Sequence, residues 1–152
     1  MLVRSLLLGA GIQTCYDGYF PEAMRALSLQ GAEVVLWPNS RGGSIRPDII
    51  SSQAFFNFVH IAAVDSADGQ GSVVYDHGRG PVAGPCAWDN ATACYAAADL
   101  DMHTLRVARK HSRMFHQRRS DLAVLAQNWG TAQAYEDYPA RRWYGAEGSA
   151  LL

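Results

Sequence analysis

Cys15 stands in the run GIQTCYDGYFPEAMRALSLQGAEVVLWPN, where an apolar segment gives way to a helical one. A thiol at the end of a strand, on a sharp turn before a helix, is presented where a substrate can reach it, and the backbone N–H groups that follow can face a developing oxyanion. That arrangement suits an acyl-transfer nucleophile. A lone cysteine in such a place is more often a buried small hydrophobe, and spacing alone leaves both readings open.

The other chemically capable residues are less organised. The five histidines (His60, His77, His103, His111 and His116) show no HExxH pattern, and His111 and His116, five apart, fall on different faces of a helix. His60, inside FVHIAAV, could act as a base if its strand neighbours that of Cys15; a satisfied core histidine is the commoner outcome. Cys15, Cys86 and Cys94 cannot all pair internally and show no zinc spacing, which favours a reducing, cytoplasmic setting. Gly9 and Gly11 give a GxG, but Thr14 holds the third glycine position and no acid follows the next strand, so a dinucleotide-binding unit has little support. No cofactor and no metal are expected.

The elements that position Cys15 follow from periodicity. Residues 2–8 and 11–15 read as one strand or two short ones ending near Cys15, and CYDGY as a turn. Pro21 suits a first helical turn, Phe20, Ala23, Met24 and Leu27 share one face, and Gly31 is placed to end the helix. AEVVLWP (32–38) is a short apolar run of the kind that a sheet buried on both faces requires, and we expect a strand there. After a loop, IISSQAFFNFVHIAAVD splits into a helix to about Phe56 and a strand of roughly 58–64. SVVYD (72–76) and ATACYAAADL (91–100) read as strands flanking a Gly- and Pro-rich turn, HGRGPVAGP. Asp101 can cap a helix with Leu105 and Ala108 or Arg109 at helical spacing, and RVARKHSRMFHQRRSD is mostly its solvated continuation. We expect a domain over 1–126 and an aromatic-rich arm over 127–152.

With 152 residues, 49% of them hydrophobic and 18% charged, the chain has the length of one domain and the composition of a folded one. Thirteen basic against fourteen acidic residues leave a net charge of -1, which argues against a nucleic-acid surface. The opening MLVRSLLLGAG has the flavour of a secretory leader, but its apolar part is only LLLGAG, which reads as a buried strand; no run of about 18 apolar residues is present, so no spanning helix is expected.

The run around Cys15 resembles the nucleophile segment of the carbon-nitrogen hydrolase (nitrilase) superfamily: apolar strand, Cys, aromatic, acid, a Phe-Pro-Glu helix start, a Gly-Ala-Glu turn and a strand closing in Pro and Asn. The likeness continues through AFFNFVHIAAVD, GSVVYDHGRGPVAG and YAAADLDMHTLRVARKHSRMFHQRRSDL, in the family's order, to Leu122. It implies an α/β fold, half of an α-β-β-α sandwich with a mixed sheet and helices on one face. It also implies thiolate attack on a nitrile or amide carbon, loss of ammonia or an amine, and hydrolysis of the thioester.

Carried over by position, Cys15 is the nucleophile and the Tyr16 backbone N–H an oxyanion donor, with Asp17, Asn39 and Arg41 lining the substrate site. The resemblance also implies a general-base Glu and a Lys ahead of the nucleophile. Residues 1–14 contain neither, and Lys110 is the only lysine in the chain. The family's Arg-Ala-x-Glu-Asn helix is here QAFFN, with Gln53 and Phe56 at charged positions. The chain therefore reads as the carboxy-terminal half of such an enzyme, with a small-molecule amide or nitrile substrate and either a homo-oligomer or a complementing amino-terminal half as partner. The alternative is an inactive remnant serving as a binding or assembly module.

Overall fold

The computed structural model describes residues 2–4 (backbone only), 8–40, 46–65, 72–84 and 96–119. Residues up to Ser112 form one compact unit; Arg113–Leu152 form a second, of which a helical turn, Arg113–His116, and the three residues after it are described. The proposed arm, 127–152, lies outside the described residues.

The first unit is a six-stranded sheet whose strands lie in chain order: β1 (Leu2–Arg4), β2 (Gly9–Ile12), β3 (Val34–Asn39), β4 (His60–Asp65), β5 (Val73–Asp76) and β6 (Gly80–Ala83). β2, β3 and β4 are parallel, and the pairs at either end of the sheet are antiparallel. The mixture follows from the connections. Parallel neighbours need crossovers long enough to carry a helix, and these are α1 (Pro21–Leu29) and α2 (Pro47–Asn57); the short links elsewhere turn the chain back on itself. Each helix starts with Pro at its first position, where a missing N–H costs nothing.

Alternation along the strands separates the two faces. Val35 and Trp37 on β3, Ile61 and Ala63 on β4 and Val73 on β5 join Met24 and Leu27 of α1 and Ile50 and Ala54 of α2 in one buried cluster. The other parity carries Leu36 and Val64, which are 42% and 51% exposed. The expected mixed sheet with helices on one face is thus present. A third helix, α3 (Met102–His111), is capped by Asp101, whose carboxylate accepts the Thr104 N–H at 2.9 Å.

Two expectations are corrected. The hairpin partner of β5 is β6, inside the stretch read as a turn; the turn itself is 77–79, and residues 96–100 form no strand, while 91–95 lie outside the described residues. Gly80 and Gly84 there take positive φ, so glycines that mark a loop in the sequence instead shape a short strand. The charged stretch from Arg106 is mostly exposed, as expected, yet two of its arginines dock on the sheet. Arg109 donates to Phe58 O at 2.7 Å and to Ala32 O, and Arg106 grips Glu33 at 2.6 and 2.9 Å, tying α3 to the starts of β3 and β4. Nor is β3 buried on both faces, since Leu36 is exposed; Gly9 and Gly11 lie within β2 rather than in a phosphate-cradling turn, in keeping with the little support for a dinucleotide unit.

Candidate active site

β2 and β3 end side by side. Ile12 pairs with Leu36, and one step on, Gln13 N–H still donates to Leu36 O at 3.1 Å. The chain then leaves the sheet and winds into a 3-10 turn, Cys15–Tyr19, before Pro21 opens α1. Cys15 enters this turn with φ +46°, in the left-handed region that costs an L side chain about 1–2 kcal/mol. Such a conformation persists only where its surroundings over-determine it.

They do so from several sides. Asp17 N–H donates to Thr14 O at 2.9 Å while Thr14 N–H donates to Asp17 Oδ2 at 3.1 Å, a reciprocal brace across the cysteine. From the core, the Trp37 indole N–H donates to Cys15 O at 2.9 Å. A Cβ at Gly18 would collide with the same indole, so the glycine of CYDGY is there for close approach. From α2, Gln53 Nε2–H donates to Gly18 O at 3.4 Å, and Gln53 Oε1 accepts from Asn57 Nδ2 at 3.0 Å. Beside the half-buried thiol lies an aromatic surface: Tyr16 stacks on Tyr19 at 5.6 Å and meets Phe20 edge-on at 5.3 Å, with Tyr16 53% exposed.

The residues singled out from sequence separate here. Cys15, Tyr16 and Asp17 share the turn, and Asp17 spends a carboxylate oxygen on the brace. Asn39 is buried at the end of β3, with Nδ2 donating to Trp37 O at 2.9 Å, so it is linked to Cys15 through the tryptophan. Arg41 lies outside the described residues. His60 does not neighbour the thiol: it opens β4, paired with Val34, whereas Cys15 follows the far end of β2. His60 is a buried core residue whose Nδ1 accepts from His77 N–H at 3.1 Å and stands 3.5 Å from Asp76 Oδ2.

Sequence reading missed Trp37 as part of the site and saw Gln53 only as a departure. The available signal was Gly18, three residues after the cysteine, but its indole neighbour is set by strand register. Register also brings Asp65, at the end of β4, opposite Asn39. Asp65 and Gln13 are buried, and the Asp65 carboxylate and Gln13 amide make no hydrogen bond among the described residues. Strand alternation puts Gln13, Asn39 and Asp65 on the helix-bearing face at the carboxyl ends of three parallel strands. Buried polar groups without partners are costly, and this end of an open α/β sheet is where ligands bind.

Comparison with known proteins bears on the family and the fold. A profile of the carbon-nitrogen hydrolase family matches residues 3–110. N-carbamoylputrescine amidase of Arabidopsis thaliana is 25% identical over 135 residues, which cover 74% of this chain and 45% of that protein. Human deaminated glutathione amidase is 28% identical over 122 residues, 74% of this chain and 37% of the relative. The chain thus spans less than half the length of these curated relatives. Among solved structures, a nitrilase-superfamily protein of Saccharomyces cerevisiae superposes with a TM-score of 0.59 at 20% identity, over 78% of this chain and 47% of its own. A carbon-nitrogen hydrolase of Helicobacter pylori gives 0.59 at 18% identity, over 79% and 49%. These two likenesses are of fold. Because the family profile runs from β1 almost to the end of α3, taking in the cysteine turn and the strands that carry it, this chain belongs to the carbon-nitrogen hydrolase family.

Proposed function

We propose that Cys15 is the nucleophile of a hydrolase that cleaves a non-peptide C–N bond in a small amide, nitrile or N-carbamoyl compound, with the Tyr16 N–H as an oxyanion donor. The observation that carries this reading is the left-handed backbone of Cys15 at the carboxyl end of β2, held by contacts that no ordinary strand cysteine requires. The naming of relatives as amidases supports the reaction class.

With an amide, the Cys15 thiolate adds to the carbonyl carbon and the oxygen takes up the C=O electron pair, facing the Tyr16 N–H. Return of that pair expels the nitrogen, which leaves with the proton given up by the thiol. Water adds to the thioester, the C–S bond breaks, and the acid departs with the thiol restored. A base must relay the protons, and a thiol without one is mostly protonated near neutral pH. This reading assigns the base Glu and the stabilising Lys to an amino-terminal segment or another chain, seated on the sheet face that leaves Leu36 and Val64 exposed. Asn39 and Arg41 line the pocket in this reading, Asp17 borders it, and a reducing compartment such as the cytoplasm keeps the thiol unoxidised.

The test is competitive alkylation of the full chain with iodoacetamide near pH 7, resolved by peptide mass. Cys15 is expected to react faster than Cys86 and Cys94. Equal rates, together with no ammonia from any amide, nitrile or N-carbamoyl compound, overturn the enzyme reading for this chain alone in favour of a binding or assembly module.

A further inference from the structure

We infer that Trp37 is a positioning residue for the nucleophile: its indole N–H, by holding the Cys15 carbonyl, aims the Tyr16 N–H at the acyl oxygen. The inference rests on the reading of Cys15 as nucleophile. Its starting point is the 2.9 Å bond from Trp37 Nε1–H to Cys15 O. The Cys15–Tyr16 peptide is planar, and in a trans peptide the C=O and the following N–H point in opposite directions. Fixing the carbonyl toward the buried indole therefore fixes the Tyr16 N–H toward the opposite side, away from the core. That N–H donates to no backbone acceptor among the described residues, so it is available to a ligand.

The indole is itself immobilised. Trp37 is fully buried on the helix-bearing face of β3, Gly18 lies against its ring, and Tyr19 meets it edge-on at 6.5 Å and 80°. Phe at position 37 would fill much of this space but donate nothing, leaving the peptide free to turn over. The left-handed φ of Cys15 makes that freedom consequential, because nothing intrinsic to the residue favours the conformation. An oxyanion donor works only when preorganised at the place where charge develops, and loss of one typically costs about 10²–10³ in rate.

The test separates two reactions of the same sulfur. Alkylation by iodoacetamide develops no oxyanion, whereas acylation by p-nitrophenyl acetate passes through a tetrahedral one. Both rates at Cys15 are measured on the full chain at about pH 8.5, where much of an ordinary thiol is ionised and no base is needed. They are compared in the parent chain, in Trp37→Phe, and in a chain whose Trp37 is replaced by its benzothiophene analogue, which keeps the shape and puts sulfur where the N–H stood. The expected result is an acylation rate about tenfold lower or more in both replacements, with alkylation held within about twofold. The analogue guards against a Phe variant that fails to fold. Parallel losses in both reactions, or no loss in either, reduce Trp37 to a packing residue and overturn the inference. If Cys15 in the parent chain reacts with neither reagent faster than Cys86 and Cys94, the nucleophile reading falls first and takes this inference with it.

Discussion

A residue in the left-handed region carries a conformational cost that neighbouring contacts must offset, and around Cys15 those contacts converge on a few atoms. Gly18 is the most exposed to perturbation, because its missing side chain is what lets the turn lie on the Trp37 ring. Gly18→Ala is expected to lower stability by about 1–3 kcal/mol, the usual range for forcing a methyl into packed space, as read from urea unfolding. A change within experimental error would mean that the turn lifts off the indole at little cost. His60 gives a second prediction at this scale. Burial holds its pKa below the ordinary value and wins over the opposing pull of Asp76; His77 and Arg79 also disfavour the charge, while the Asp101 backbone favours it. A folded-state pKa lower than the unfolded one means that the unfolded chain binds more protons as pH falls below about 6.5. The contribution is therefore fully present above that pH and is lost progressively as pH falls toward the folded-state value. His60→Gln should flatten the fall of the urea midpoint just below pH 6.5, and an unchanged profile would remove His60 as its source.

At the scale of elements, the attachment of α3 is the least obvious feature of the unit. Its helical residues offer one buried apolar anchor, Leu105, so polar bonds carry much of the docking. Arg109 reaches the carbonyls of Phe58 and Ala32, the residues that close α2 and precede β3, and Phe58 is itself in the left-handed region at φ +49°. Arg109→Met, which keeps an apolar stem, should cost about 2 kcal/mol in urea unfolding, in the range of hydrogen bonds made by charged donors. Arg106→Met should cost less, since the Arg106 side chain is half exposed in its pair with Glu33. Equal losses would shift the weight to the ion pair. These bonds also mark the limit of legibility. The alternation of strand and helix from β2 to β4 was readable because Pro21, Gly31 and the apolar runs are local signals. The docking by Arg109 links residues 51 and 77 positions apart, and no local pattern announces it. β6 was hidden because Gly and Pro dominate it, although the true turn is held by Asp76, which accepts from the N–H groups of Gly78 and Arg79. In the candidate site, the turn between strand and helix at Cys15 was legible from the residues around it, whereas the contact of Trp37 with Cys15 O depends on the register of β2 against β3.

For the whole molecule, the decisive asymmetry is between the two faces of the sheet. One is closed by α1 and α2; the other presents Leu36 and Val64 on the paired strands β3 and β4, offset by two residues, with Leu36 opposite Ala62 and Val64 opposite Pro38. Exposed apolar side chains clustered on one face favour association in water. The matched segment covers less than half of the curated relatives, and the function proposed above seats a complementary surface on this face. Replacing both residues, Leu36→Lys with Val64→Lys, removes apolar area that the unit itself leaves exposed. Stability of the full chain should therefore change by no more than about 0.5 kcal/mol per site, as for other exposed positions. Association should weaken sharply, seen as a shift toward monomer in sedimentation velocity at matched concentration. Loss of stability would show that this face is covered within the chain. Unchanged association would move the contact to the strand edges, whose open backbone groups are the other route by which a sheet recruits a partner.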